Sequence, residues 1–295
     1  MRRAFGYTDR MSFLPDDFDS FLAADCDRER FITNRLAAAG VTCAVVPIDG
    51  SRHLFVQFPQ SAYNPLFRIK TVLVHYDRAQ NSPGANDNSA AVFQIADWAV
   101  RLTKRNGIHN VRIFFTDGEE LGSGDGVASQ GSFGIAAKFR SLGIVNDDVY
   151  VFDCCGRGGV PVLSKAGTAS GGGSFRSRFA SLTQRTEKLL RTVSARNWVS
   201  LPVPYSDNAG FLACGIPAVA LTVLPAEEAT RYMRELQRDK TLESAVMRHT
   251  AAAEKLPPTW RLLHTEYDNR LSLTEDAFVL MRALLDELAS VLVPV

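Results

Sequence analysis

The sequence predicts an α/β fold built on a largely parallel sheet, and three observations point to it. Apolar, β-rich runs recur at Thr71–Val74, Val111–Phe115 and Val149–Phe152. Between them lie stretches with apolar residues at helical spacing, and strands alternating with helices form parallel sheets. Each run also leads into a residue able to ligate a metal: His75, the Asp117-Gly-Glu119-Glu120 group and Asp153. In an open α/β sheet the ligand site lies beyond the carboxyl ends of the strands, so these side chains can converge without long loops.

Taken in order, residues 12–40 read as an amphipathic helix, with acidic residues at Asp16–Asp19 near its start and Ala37-Ala-Ala-Gly40 as its stop. Val41–Ile48 and His53–Phe58 are β-rich and flank Asp49-Gly50, a strong hairpin signal. Strand 70–75 follows, then a loop and a helix from Ser89 to about Arg105. Val92, Ile95, Ala96, Ala99 and Leu102 give that helix one apolar stripe. Strand 111–116, helix 133–142 and strand 148–153 continue the alternation. Residues 156–176 are rich in glycine and serine and read as a flexible rim loop. Helix 177–194, the segment Ser206-Asp-Asn-Ala-Gly-Phe211 and a buried strand Ala218–Leu224 come next. Residues 226–256 look helical and charged. Ser272-x-x-Glu275 is a capping-box pattern for the last helix, whose stripe is Phe278, Met281, Leu284, Leu285 and Leu288. With no internal repeat and no proline-rich linker, a single domain over 1–295 is the simplest account.

Composition narrows the function. A chain of 295 residues with 46% apolar residues can bury a large core. The net charge is +1 and the basic residues are scattered, which favours neither nucleic acid nor an anionic membrane surface. No apolar run is long enough to span a bilayer. Met1-Arg-Arg begins as an export signal might, but Asp9, Arg10, Asp16, Asp17 and Asp19 interrupt any apolar segment, so a cytoplasmic address is expected. Cys26, Cys43, Cys154, Cys155 and Cys214 form an odd, unspaced set that fits reduced core thiols.

The chemistry sits in the acidic residues and imidazoles at the strand ends. A dense group of carboxylates with histidine suits a divalent metal, zinc first, although cobalt or manganese can fill the same donors. Asp87, in Gly84-Ala-Asn-Asp87-Asn-Ser, precedes the helical stripe; taken alone the segment reads first as a helix cap, a role compatible with ligation. His53 and His109 lack partner motifs and read as structural. His249 lies in a charged stretch and reads as solvent-facing, though it competes with His264 as a late ligand.

His75-Tyr-Asp77, the Asp87 segment, Asp117-Gly-Glu119-Glu120, Asp153, Gly215-Ile-Pro-Ala218 and His264-Thr265 occur in an order that resembles the co-catalytic zinc exopeptidases. That family contains bacterial aminopeptidases, glutamate carboxypeptidases and glutaminyl cyclases, and the match runs from about Leu73 to Leu288. The resemblance implies a three-layer α/β/α fold with a central mixed, mostly parallel sheet. It also implies that Asp87 bridges two metals, that His75 and Asp153 hold one, and that Glu120 and His264 hold the other. Two zinc ions ~3.5–4 Å apart need a shared anionic ligand. Glu119 becomes the general base and acid, Asp77 the partner of the His75 ring. Asp207 is expected near the substrate amine, but the family's segment usually continues with histidine, where this chain has Asn208.

Three functions remain open at this point. One is an aminopeptidase acting on N-terminal residues of peptides with one or two zinc ions. A second is a glutaminyl-cyclase-like transferase with a single zinc on Asp87, Glu120 and His264. The Leu121–Ser132 loop resembles that branch, whereas Leu263 stands where cyclases carry an aromatic residue. The third is a family scaffold with a binding role. Side-chain preference and oligomeric state are not legible.

Overall fold

The computed structural model describes residues 13–121, 126–167 and 171–295. The N-terminal segment on which the cytoplasmic expectation rests lies mostly outside them, as do parts of loops 121–132 and 156–176. Among the described residues eight strands form one sheet in the order β1-β2-β4-β3-β5-β8-β6-β7. They are β1 (Thr42–Ile48), β2 (Ser51–Gln57), β3 (Lys70–His75), β4 (Val111–Thr116), β5 (Asp148–Phe152), β6 (Val160–Ser164), β7 (Val199–Leu201) and β8 (Ala218–Leu224). β4, β3, β5 and β8 are mutually parallel. The hairpin β1–β2 pairs antiparallel with β4 at one side, and β6 pairs antiparallel with β8 at the other. Asp49 and Gly50, with φ of 50° and 93°, make the positive-φ turn that a two-residue hairpin requires.

The helices are α1 (Phe18–Leu22), α2 (Arg28–Ala38), α3 (Ala90–Lys104), α4 (Gly131–Ser141), α5 (Gly173–Ser194), α6 (Asn208–Ala213), α7 (Ala226–Arg238), α8 (Leu242–Met247), α9 (Pro258–Leu262) and α10 (Glu275–Ser290). Strand residues alternate between the two faces of the sheet. Val72, Val74, Tyr150, Phe152, Val219 and Leu221 enter one core with α3, α5 and α10. Leu73, Val149, Val151, Ala218 and Ala220 enter the other with α4 and Phe211 of α6. Burial on both faces explains why the central strands read as unbroken apolar runs. A third cluster joins β6 and β7 to α7, α8 and Trp260 of α9.

Three expectations need correction. The helix expected over 12–40 is two helices, because Asp27 caps a new start by accepting from Arg30 N at 3.0 Å. The rim loop 156–176 contains β6, whose residues Val160–Ser164 are all buried against β8, and α5 begins at Gly173. The charged stretch 226–256 is helical, as two helices and a 3₁₀ turn. Finally, the Ser272-x-x-Glu275 box does not form. Ser272 ends a 3₁₀ turn, α10 starts at Glu275 after Thr274, and the Thr274 hydroxyl instead accepts from Gly158 N at 2.8 Å.

Candidate metal centre

His75 is the last residue of β3, in register with Thr116, the last of β4. Glu119 and Glu120 follow Thr116 closely, and Asp153 comes directly after β5. Parallel register therefore delivers three of the sequence-nominated groups to one level at the carboxyl edge of the sheet. Asp87 arrives from the turn Ala85–Ser89 that opens α3. His264 arrives from beyond α9, in a left-handed conformation with φ of 61°.

Asp87 is 6% exposed, and its carboxylate faces two imidazoles with different oxygens. His75 Nε2 lies 3.2 Å from Asp87 Oδ1 and 3.5 Å from Asp153 Oδ1. His264 Nε2 lies 3.1 Å from Asp87 Oδ2 and 3.3 Å from Glu120 Oε2. Among the described residues three donor groups have ligand atoms within 4.8 Å of one another: His75–Asp87–Asp153 and Asp87–Glu120–His264, which share Asp87, and His75–Glu119–Glu120. Asp77 joins them from behind: its Oδ1 is 3.3 Å from His75 Nδ1, and its Oδ2 accepts from Glu120 N at 3.0 Å. The structure thus brings together His75, Asp77, Asp87, Glu119, Glu120, Asp153 and His264.

The charges show what this cluster suits. Burial alone would depress the His75 imidazole, yet Asp153, Asp77 and Asp87 raise its pKa well above the ordinary value. A hydrogen bond to Asp87 lifts His264 to about 9. Burial raises Glu120 to about 7, with Asp87 adding to it. Burial opposes ionisation of Asp87, but His264 and His75 hold it below the usual carboxylate range. Carboxylates this close draw cations toward them. Among the described residues neither buried His75 ring nitrogen completes a hydrogen bond, although each points at carboxylates. Buried imidazole nitrogens held against carboxylate oxygens around a common point fit a divalent metal, and zinc suits the mixture.

Glu119 lines the same cavity, and burial pushes its carboxyl well above the glutamate range. Gln130 Nε2 lies 3.3 Å from Glu119 Oε1. The cavity measures about 470 Å³. Val127, Val203, Pro204, Tyr205, Trp260 and Leu263 supply much of its apolar wall.

Asp207 sits differently from expectation. It is fully buried, accepts a hydrogen bond from the Thr116 hydroxyl, and is absent from the cavity lining, to which its neighbours Ser206 and Ala209 contribute. Burial raises it to about 6. Asn208 is also buried, its Oδ1 accepting from Ser206 N at 3.0 Å. His249 is exposed and lines the cavity, but belongs to none of the donor groups found among the described residues. His53 and His109 lie in the core, where burial lowers each to about 4. Cys154 and Cys155 are buried thiols whose pKa burial raises, and Cys154 Sγ contacts Asp153 Oδ1 at 3.2 Å.

Sequence reasoning passed over Asp268. Its two oxygens accept from Asn86 N at 2.8 Å and Asp87 N at 3.1 Å, tying the Asp87 turn to the His264 loop. Asn86 Oδ1 accepts from Gly156 N at 2.7 Å, and Asn88 Nδ2 donates to Phe152 O at 2.9 Å, anchoring that turn beside β5. The only sequence signal for Asp268 is its place in the segment that carries His264.

The sequence profile described as Peptidase family M28 matches residues 62–288. No curated protein sequence matches the chain. Among solved structures, the LapA aminopeptidase of Legionella pneumophila is similar with a TM-score of 0.60 at 15% identity, over 93% of this chain and 70% of that one. BSAP, a zinc aminopeptidase from Bacillus subtilis, gives 0.53 at 15% identity, over 81% and 49%. Bacteroides thetaiotaomicron glutaminyl cyclase bound to N-acetylhistamine gives 0.58 at 16% identity, over 88% and 87%. At such identities the likeness is one of fold.

Proposed function

This chain belongs to peptidase family M28, and from that premise we propose that it is a zinc-dependent aminopeptidase. The observation that carries the reading is the divided Asp87 carboxylate, which offers one oxygen beside His75 and the other beside His264. His75, Asp87 and Asp153 would hold one ion, and Asp87, Glu120 and His264 the other. Bound zinc would supply Lewis-acid polarisation of the scissile carbonyl and a lower pKa for water at the site.

Glu119 takes the proton of the attacking water and hands it to the leaving amine. A raised carboxyl pKa suits this double duty, because it lies nearer the working pH. Asp77 orients His75 through Nδ1 and holds the backbone of Glu120, so one carboxylate aligns a donor in each group. The apolar wall desolvates a large side chain of the substrate's N-terminal residue.

The cavity also favours the amino end of a peptide over the carboxyl end. Among the described residues its lining includes Asp87, Glu119, Glu120 and Asp153 but neither lysine nor arginine. Bound zinc would offset those carboxylates, so the preference rests on the basic side chains: a terminal carboxylate finds no lysine or arginine there to receive it, and a terminal amine needs none. Cyclase chemistry is the second reading, favoured by the 87% of the Bacteroides thetaiotaomicron enzyme's length that this chain spans.

Metal content measured together with product decides between them. About two zinc ions per chain and release of apolar residues from aminoacyl-nitroanilides is the expected result. One zinc ion with pyroglutamate formed from N-terminal glutamine replaces it with the cyclase. Neither activity in metal-loaded protein leaves a binding scaffold.

A further inference from the structure

We propose that Arg28 is a positioning residue that fixes the spacing of His75 and Asp87 by clamping both ends of the segment between them. This rests on the reading that those two side chains share a metal. Arg28 is the first residue of α2 and lies outside residues 62–288, the part of the chain matched to the family. It is 6% exposed. Nη1 donates to Tyr76 O at 2.9 Å and Asp77 O at 3.3 Å, directly after His75. Nη2 donates to Pro83 O and to Ser89 Oγ, both at 3.0 Å, on the Asp87 side. Ser89 Oγ in turn donates to Gly84 O at 2.5 Å.

Residues 76–84 have neither helix nor strand to hold them. Their shape depends on groups outside the segment, and one planar guanidinium reaches carbonyls at both ends of it. Among the described residues Arg28 forms no ion pair with a carboxylate, and its positive face packs on the Phe21 ring at 4.5 Å. A buried charge without an anionic partner is costly. Retaining arginine here therefore points to its fork geometry, which a lysine ammonium does not reproduce.

A competing account makes Arg28 only a counter-charge for the nearby carboxylates. The two accounts predict opposite signs. A buried cation beside the site repels an incoming dication, so its removal as mere charge tightens metal binding. Its removal as a clamp loosens binding.

The test is zinc affinity of metal-stripped protein, read by competition with a chromophoric chelator, with the visible spectrum of added cobalt(II) reporting donor geometry. Wild type binding no zinc overturns the metal reading itself, and the clamp with it. With wild type binding zinc, Arg28→Lys keeps the charge and loses the fork. Its zinc affinity is expected to fall ~10- to 100-fold, the range for residues supporting metal ligands, with an altered cobalt spectrum. Affinity equal to wild type in Arg28→Lys, or tighter binding in Arg28→Met, overturns the clamp. Should either variant fail to unfold cooperatively, Ser89→Ala removes one acceptor and leaves Arg28 in place. It is expected to weaken zinc binding by a smaller factor, and unchanged affinity in Ser89→Ala overturns the proposal.

Discussion

His264 Nε2 stands 3.1 Å from Asp87 Oδ2, although His264 follows α9 near the end of the chain and Asp87 precedes α3. Asp268, in the same loop as His264, holds the Asp87 turn by accepting from the N–H groups of Asn86 and Asp87. The late loop therefore carries both a donor and the brace that aims its partner.

Asp87→Ala removes the oxygens shared by both proposed ion sites. Zinc bound to the purified protein should drop to near background by elemental analysis, and hydrolysis should vanish with it. Retention of two ions per chain would show that Asp87 does not bridge.

Glu119→Gln keeps the shape of the side chain and removes its proton-accepting oxygen. Zinc content should match wild type while kcat falls by ~10²–10⁴, the usual contribution of general acid–base catalysis. A variant with wild-type turnover removes Glu119 from proton transfer.

Stripping the metal with a chelator should lower the unfolding temperature, because the carboxylates are left to repel one another. Zinc returned at ~1,000 times its dissociation constant should add ~4 kcal/mol of stability. Thermal scans with and without zinc check this, and identical midpoints would count against a resident ion.

Acid should weaken the fold through His53 and His109, apart from any effect on the metal. His53 Nδ1 accepts from Asp117 N at 3.2 Å and His109 Nδ1 from Val111 N at 3.0 Å, so both imidazoles are held neutral. Burial lowers both to about 4, against ~6.5 in an unfolded chain. Between those values the unfolded chain binds more protons. Stability is therefore full above pH ~6.5 and declines as the pH falls toward 4, by at most ~1.4 kcal/mol per pH unit for each histidine. Urea midpoints at pH 7.5 and 5 should differ less in His109→Gln than in wild type.

The central sheet was legible because its strands are buried on both faces and end in polar groups. His75, Glu120 and Asp153 could be nominated for that reason, each sitting just past a recognisable run. β6 was not legible, since Val160–Ser164 is a five-residue run inside glycine-rich sequence, and its pairing with β8 and β7 reveals it. Asp268 and Arg28 escaped notice because their partners lie far away in sequence and are mostly backbone atoms, which leave no trace in residue identity. The break before α2 was missed because the Asp27 cap lies within a run of charged residues that also suits a helix surface.

The mixed sheet divides the protein's labour. His75, Glu120 and Asp153 hang from the parallel block β4-β3-β5, while Val203–Ser206 and Trp260 belong to the side organised by antiparallel β6. Reshaping the wall at Val203–Ser206 consequently leaves those strand ends untouched, whereas reshaping it at Trp260 or Leu263 disturbs the segment that carries His264.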